Sequence, residues 1–321
     1  MRWTEGLLVP GRVWLRATCG RAGARAARLL YRQRRHRALA WVASEGRSLA
    51  LTYGIGRRCE PPVDGFDELC DLVGVAPAGA AAIHSWLADR VVLYIVGRPA
   101  SLVVKVGARR DAGLATETEL LGRLNGAASP VIAPKVRWNG AWREHLVLAT
   151  EAIRLSDSQL DVSLEQAAGT ATALSTGCSG VGPLVHGDLS PWNLLRTPSG
   201  LALVDWEEGR TGCEPLYDLA HFVVMRSALL QRESPERAMS LLTAPGSPGW
   251  RHLKALDVDP STAPSLLEDY LERTWEHNEA SWEYRKALLH GLRIAATGRL
   301  VSPAGRSPAR ARTESTGAAP Q

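Results

Sequence analysis

The sequence is short of four things: paired cysteines, long apolar runs, lysine, and acidic residues in its first 37 positions. Its five cysteines (Cys19, Cys59, Cys70, Cys178 and Cys213) are odd in number and form no C-x-x-C pair. That pattern fits reduced thiols in a cytoplasm better than a disulfide or zinc framework. No apolar run approaches the roughly 20 residues that a membrane-spanning helix requires. Met1–Glu5 lacks the charged start and apolar stretch of a signal peptide. The expectation is a cytoplasmic chain with no membrane insertion. With 321 residues and 45% hydrophobic content, it is long enough for one large domain or two lobes.

The shortage of acid is local. Residues 1–37 hold ten arginines against Glu5 alone, a surplus of nine in a chain whose net charge is +5. Everything after residue 37 is therefore net −4, and residues 38–300 are net −6 once the arginine-bearing tail is set aside. A basic surface for nucleic acid is not a property of the body of the protein. Lysine is scarcer still, with four (Lys105, Lys135, Lys254 and Lys286) beside 34 arginines. Lys105 stands inside the strand-like run Val103–Val106, where a compact ammonium is preferred over the arginine used elsewhere. The plainer reading of Lys105 is a charge that protects an edge strand.

What is present is concentrated in Leu184–Glu207, LVHGDLSPWNLLRTPSGLALVDWE. His186, Asp188, Asn193 and Asp205 are set there between apolar runs. Pro198-Ser199-Gly200 reads as the turn of a hairpin with arms Leu194–Arg196 and Leu201–Val204. Such a hairpin brings Asn193 and Asp205 to one open end, with Asp188 on the loop entering it. One acid is then free to accept a proton, while an amide oxygen and a second acid hold Mg²⁺. Phosphoryl transfer needs this arrangement, because it asks for a positioned hydroxyl and neutralised phosphates rather than covalent chemistry. H-x-D also occurs in the facial triad of non-haem iron oxygenases, with His221, His252, His277 or His290 as a distal ligand. The helical character after Asp205 weighs against that all-β setting.

HGDLSPWN followed by DWE resembles the aminoglycoside phosphotransferase and choline kinase family, closely from Leu184 to Phe222 and traceably from Ile83 to Ile153. The resemblance implies an α+β, two-lobed protein-kinase-like fold, with a small antiparallel sheet in the N-lobe and a mainly helical C-lobe. It implies ATP and Mg as cofactors, and a small-molecule hydroxyl (amino sugar, sugar or amino alcohol) as acceptor. Asp188 is then the catalytic base, His186 fixes the loop, and Asp218 braces it. Asn193 and Asp205 are the metal ligands. Lys105 contacts the nucleotide phosphates and is held by a glutamate on the helix Leu114–Leu124; Glu117 is favoured and Glu119 is the alternative. Thr150, Glu151 and Ala152 form the hinge between lobes, whose backbone meets the adenine edge.

Three features depart from the pattern of protein kinases. The loop Trp86–Arg90 has no glycine, so Arg90 or backbone amides are the candidates to meet phosphate there. Trp206-Glu207 replaces Phe-Gly, and Gly187 replaces an arginine, which argues against control by activation-loop phosphorylation. The glycine-free loop keeps open a second class, a catalytically weak kinase-like binding or regulatory protein.

The expected organisation is an Arg-rich extension of unknown role (1–75), the nucleotide-binding N-lobe (76–153), the helical C-lobe (154–300) and a disordered tail (301–321). Arg21–Ala43 reads as a helix without a clean apolar face. Strands are expected at Ala82–Trp86, Val91–Val96, Ser101–Val106 and Leu146–Ile153, and helices at 161–176, 219–232, 234–243, 261–277 and 279–300. Glu268, Glu272, Glu276, Glu279 and Glu283 share one stripe if the last two helices are continuous. The stripe is either a solvated face or a set of carboxylates that selects a cationic acceptor.

Overall fold

The computed structural model describes residues 1, 3–5, 15–30, 57–85, 89–127, 129, 131–155, 162–177, 180–231, 233–274 and 281–296. The tail 301–321, the loop residues 86–88, Cys178 and the second half of the helix expected over Arg21–Ala43 lie outside them. The first lobe is an antiparallel sheet. Its strands are β1 (Trp3–Glu5), β2 (Leu15–Thr18), β3 (Arg57–Cys59), β4 (Ala76–Ser85), β5 (Arg90–Arg98), β6 (Leu102–Ala108), β7 (Val136–Trp142) and β8 (His145–Glu151). They lie in the order β3-β1-β2-β4-β5-β6-β8-β7. The second lobe is mainly helical. The α+β, sheet-then-helices architecture expected from the sequence is the one observed.

Strand alternation assigns the two faces of the sheet. Register pairs Leu93 with Val104 and Val104 with Ala149, and this row is buried beneath α2 (Phe66–Leu72). The intervening row runs Val92, Lys105, Leu148 and faces the opposite way. Leu148 packs there with Leu114, Leu121 and Leu124 of α3 (Ala112–Asn125). Lys105 therefore points at α3 because its neighbours Val104 and Val106 point away from it.

The first 75 residues are not an appendage where they are described. β1, β2 and β3 continue the same sheet, with Ala17 of β2 paired to Ala81 of β4. Trp3 is buried and meets Phe66 edge-on, the ring centroids 5.2 Å apart. The helix read as lacking an apolar face, α1 (Arg21–Leu30), has one made of small residues. Ala24, Ala26 and Ala27 are buried against Ala17 and Ala81, while Arg21 and Arg25 are exposed. A Cβ at Gly79 would collide with the backbone of Ala22 and Gly23, so the close approach of α1 to β4 depends on that glycine. For the same reason β4 starts six residues before the expected strand: Ala76–Ala82 looks unlike a strand because it serves as a floor for a helix.

After β8 the chain forms α4 (Leu164–Thr176), opened by a capping box of Ser163 and Gln166. It continues through β9 (Leu184–Val185), β10 (Leu194–Thr197), β11 (Gly200–Leu203) and β12 (Arg210–Thr211) into α5 (Tyr217–Arg226). Then follow α6 (Pro235–Thr243), α7 (Pro248–Ala255), α8 (Ala263–Arg273) and α9 (Trp282–Ala296). The helix α7 was not anticipated; Ser247 caps it and Pro248 occupies its first turn, so a dipeptide that reads as a loop starts a helix. Leu174, Leu219, Phe222, Leu267, Tyr270 and Leu288 share one core with Leu189, Leu194, Leu203 and Trp206 of the loop segment.

Because Trp3 is part of the sheet's core, Trp3→Ala is expected to lower the unfolding free energy by roughly 3–5 kcal/mol. Urea denaturation of the two proteins checks this. A loss below about 1 kcal/mol, ordinary for a surface change, would return residues 1–75 to the status of an extension.

Candidate active site

The loop between β9 and β10 is held by its backbone. Asp218, buried in the first turn of α5, accepts from the His186 amide at 2.8 Å and from the Gly187 amide at 3.0 Å. A carboxylate at that helix end also faces the favourable pole of the helix. Gly187 adopts φ 84°, and a Cβ there would strike the Glu208 carbonyl, so the loop passes too close to its neighbour for a side chain. His186 is fully buried, its ring edge-on to Trp206 at 4.6 Å. Its Nε2 lies 3.1 Å from the Val204 carbonyl, which accepts, so Nε2 carries the proton. Burial is the largest influence on this ring and holds its pKa below the usual histidine value, outweighing Asp218, Asp188 and Asp205. His186 is a neutral strut, and its Nε2 is committed to Val204 rather than to a shared metal site with Asp188.

The hairpin β10–β11 pairs Leu194 with Leu203, and the next rung is a bond from the Val204 amide to the Asn193 carbonyl, 3.0 Å. Asn193 and Asp205 thus emerge side by side. Asp205 takes a left-handed conformation, φ 69°, which turns its carboxylate out of the strand line. The buried Trp206 that follows is anchored by its indole N–H on the Leu203 carbonyl, 3.0 Å. Asn193 donates from Nδ2 to Asp188 Oδ2 at 2.9 Å and to the Asp188 carbonyl at 3.0 Å. Its Oδ1 has no hydrogen bond among the described residues and, with Asp205, offers the hard oxygen donors that Mg²⁺ prefers. Asp188 retains 32% side-chain exposure, enough to be reached from solvent.

Lys105 joins the lobes. Its ammonium lies 2.6 Å from Glu117 Oε2 and 2.5 Å from Asp205 Oδ1, with 12% of the side chain exposed. Burial pulls its pKa down, but the charges of Asp205 and Glu117 outweigh that and the net shift is upward. Glu117 moves up, since its desolvation exceeds the help from Lys105; Asp205, facing the same ammonium, moves down. Glu119 turns to the surface and pairs with Arg123 one helical turn on. Of the two glutamates weighed from sequence, Glu117 is the one that meets the lysine.

Other expected groups are placed differently. Thr150, Glu151 and Ala152 do end β8 beside the helical lobe, but the Glu151 amide donates to Lys135 and the Ala152 amide to Ser101. Two of the donors assigned to an adenine edge are engaged within the protein. Arg90 does not wait for phosphate: it forms a two-pronged pair with Asp111, at 2.9 and 2.7 Å, and a third contact with Glu207. In the glutamate stripe, Glu268 and Glu272 both pair with Arg293, and Glu283 pairs with Lys286. Glu276 and Glu279 are outside the described residues. The described part of the stripe is a face of surface ion pairs. A cavity of about 490 Å³ bordered by Val91, Val106, Arg109 and His145 opens on the face of the sheet opposite Lys105 and contains none of these groups.

One residue near Asp188 carries no role in the kinase reading of the sequence. His221 of α5, considered there only as an iron ligand, places Nε2 2.8 Å from Asp188 Oδ1. The one available signal was its spacing, one turn after Asp218 on the same helix.

Asp218 supplies the acceptors for two buried amides, each costing about 1–3 kcal/mol when left unpaired. Asp218→Ala should therefore lower stability by roughly 2–6 kcal/mol, and Asp218→Asn, which keeps one oxygen, by about half as much. Denaturant unfolding measures both. Equal and small losses would show that the loop holds its shape without this carboxylate.

No curated protein matches the sequence. Among solved structures, similarity is found to a thermostable mutant of the aminoglycoside phosphotransferase APH(4)-Ia in a ternary complex with ADP and hygromycin B. The identity is 13%, over 71% of this chain and 98% of that one, with a TM-score of 0.45. Spectinomycin phosphotransferase APH(9)-Ia, in complex with ADP and spectinomycin, is 10% identical over 75% of this chain and 100% of that one, TM-score 0.45. A family model described as the phosphotransferase enzyme family matches residues 140–256, from β7 through the β9–β10 loop to the end of α7. Over that stretch, about a third of its length, the chain is similar to the phosphotransferase enzyme family.

Proposed function

We infer that the protein transfers the γ-phosphoryl group of ATP, with Mg²⁺, to a hydroxyl of a small molecule such as an amino sugar, sugar or amino alcohol. The observation that carries this reading is the convergence at Lys105. One ammonium touches the helix glutamate and the strand-end aspartate, and the Asp188–Asn193 pair stands on the adjoining loop. Fold and loop motif alone are shared by proteins of many functions. This grouping of charges supports the handling of phosphate.

Each residue then has a task. Asp188 receives the acceptor hydroxyl, orients it and takes its proton as the oxygen–phosphorus bond forms. The bond from that phosphorus to the bridging oxygen breaks, and ADP leaves. Lys105, kept in place by Glu117, faces the phosphates and compensates their charge. Asn193 through Oδ1 and Asp205 would hold the metal ion, which supplies charge neutralisation on the transferring group. Asp218 keeps the loop backbone in register, and His186 keeps the loop against Trp206. Thr150, Glu151 and Ala152 border the base.

A second reading is supported by the hinge. With the Glu151 and Ala152 amides paired internally, base recognition lacks two donors, as in a kinase-like protein that binds a partner or ligand without turnover. The placement of the protein in a cytoplasm is part of the proposal; among the described residues no helix is long and apolar enough to cross a membrane.

Purified protein offered Mg-ATP with a library of hydroxyl compounds should consume ATP with at least one of them. Asp188→Asn is expected to reduce that turnover by about 10²-fold or more while Mg-ATP binding persists. Asp205→Ala should lose both Mg-dependent nucleotide binding and turnover. Near wild-type phosphorylation by Asp188→Asn would refute the mechanism. Nucleotide binding without turnover on any acceptor would favour the second reading.

A further inference from the structure

The carboxylate of Asp188 is held from two sides. Oδ2 accepts from Asn193 Nδ2. Oδ1 faces Nε2 of His221 at 2.8 Å, approached obliquely rather than along a straight hydrogen bond. Two atoms bearing only lone pairs repel at that distance, so a proton belongs on Nε2. The other ring nitrogen explains how it is kept there. Nδ1 lies 3.2 Å from the hydroxyl of Tyr270, a buried residue of α8. Burial raises the Tyr270 pKa above the usual phenol value, so the O–H stays available to donate to Nδ1.

Tyr270 is itself fixed. Its ring meets Tyr217 edge-on at 5.2 Å, and the buried Arg285 guanidinium lies over it at 5.5 Å. His221 is also set by its helix. It follows Asp218 by three residues, so both project from the same side of α5. Asp218 takes the backbone of the loop at His186 and Gly187, and His221 takes the side chain of the next residue, Asp188. One helix face thus determines both where the loop lies and how its carboxylate is turned.

We propose that His221, oriented by Tyr270, is the positioning residue for Asp188: it presents Nε2–H to Oδ1 and sets the angle at which the carboxylate meets the acceptor hydroxyl. The proposal rests on Asp188 being the base of the phosphotransfer reading. A misdirected carboxylate costs rate and not nucleotide affinity, because Asp188 is not among the groups assigned to the nucleotide or metal.

The test has a kinetic arm and a spectroscopic arm. In the kinetic arm, turnover of Mg-ATP is followed with water as acceptor, and with any hydroxyl compound the library identifies. His221→Ala is expected to lower kcat by about tenfold to a hundredfold, with KM for ATP within about twofold of wild type. His221→Gln, whose side-chain amide nitrogen reaches the place of Nε2, should recover most of the loss. His221→Asn, whose nitrogen falls near Nδ1, should not. Tyr270→Phe removes only the hydroxyl and should fall between wild type and His221→Ala. Unchanged kcat in His221→Ala, or equal defects in the Gln and Asn variants, would overturn the positioning role.

The spectroscopic arm needs no turnover. Ring ¹⁵N resonances of His221 in the full-length protein should show a protonated Nε2, displaced by Asp188→Asn. A bare Nε2 would overturn the proposal whatever the kinetics. If the wild-type protein neither binds nor turns over Mg-ATP, the phosphotransfer reading fails, and the state of Nε2 still decides whether His221 holds Asp188.

Discussion

The buried ammonium of Lys105 is the constraint on which the rest of the site depends. A lysine removed from water is costly unless negative charge surrounds it. Here Glu117 and Asp205 surround it, one from the helix α3 and one from the end of β11. Satisfying that one charge therefore fixes the distance between the sheet, the helix and the loop of the second lobe. The compact ammonium meets both carboxylates at a single point, which is the physical sense of a lysine in a chain that otherwise uses arginine. Arg90 makes a parallel connection at the edge. It joins the start of β5 to Asp111, which caps α3, and to Glu207, two residues beyond Asp205. The same three parts of the molecule are tied twice.

The second lobe arranges the Asp188 loop through α5. Its first turn and the turn after it present Asp218 and His221 to the loop, and the buried Trp206 and His186 fill the space beneath. The result separates duties. Backbone position is held by one buried carboxylate, and a buried imidazole lies against the Asp188 side chain. Asp188 itself stays open to solvent. A rigid surround with one accessible group suits the proposed phosphoryl transfer, a reaction dominated by positioning.

The N-terminal strands extend this logic to the sheet. β4 would be an edge strand if the sheet began at residue 76, and β2 covers it. The Ala-rich packing of α1 on Ala17 and Ala81 buries little area per residue, so it depends on closeness rather than bulk. That is why the segment looks featureless in one dimension.

The sequence by itself determined the parts of the molecule whose signal is local. The hairpin turn at Pro198–Gly200 made neighbours of Asn193 and Asp205, which follows from residues a few positions apart, and the family resemblance favoured Glu117 over Glu119. Tertiary structure decided what depends on distant partners. Arg90 is drawn to Asp111 and Glu207 instead of to phosphate, and Glu268 and Glu272 are taken up by Arg293. The hinge amides are engaged by Lys135 and Ser101, and residues 3–5 and 15–18 become strands of a sheet through pairings with partners as far along the chain as β3 and β4. His221 belongs with these: a histidine on a helix is unremarkable until folding sets it against Asp188 and Tyr270. A charged or hydrogen-bonding group has many possible partners along a chain, and only the packed structure limits them to the few within about 3 Å.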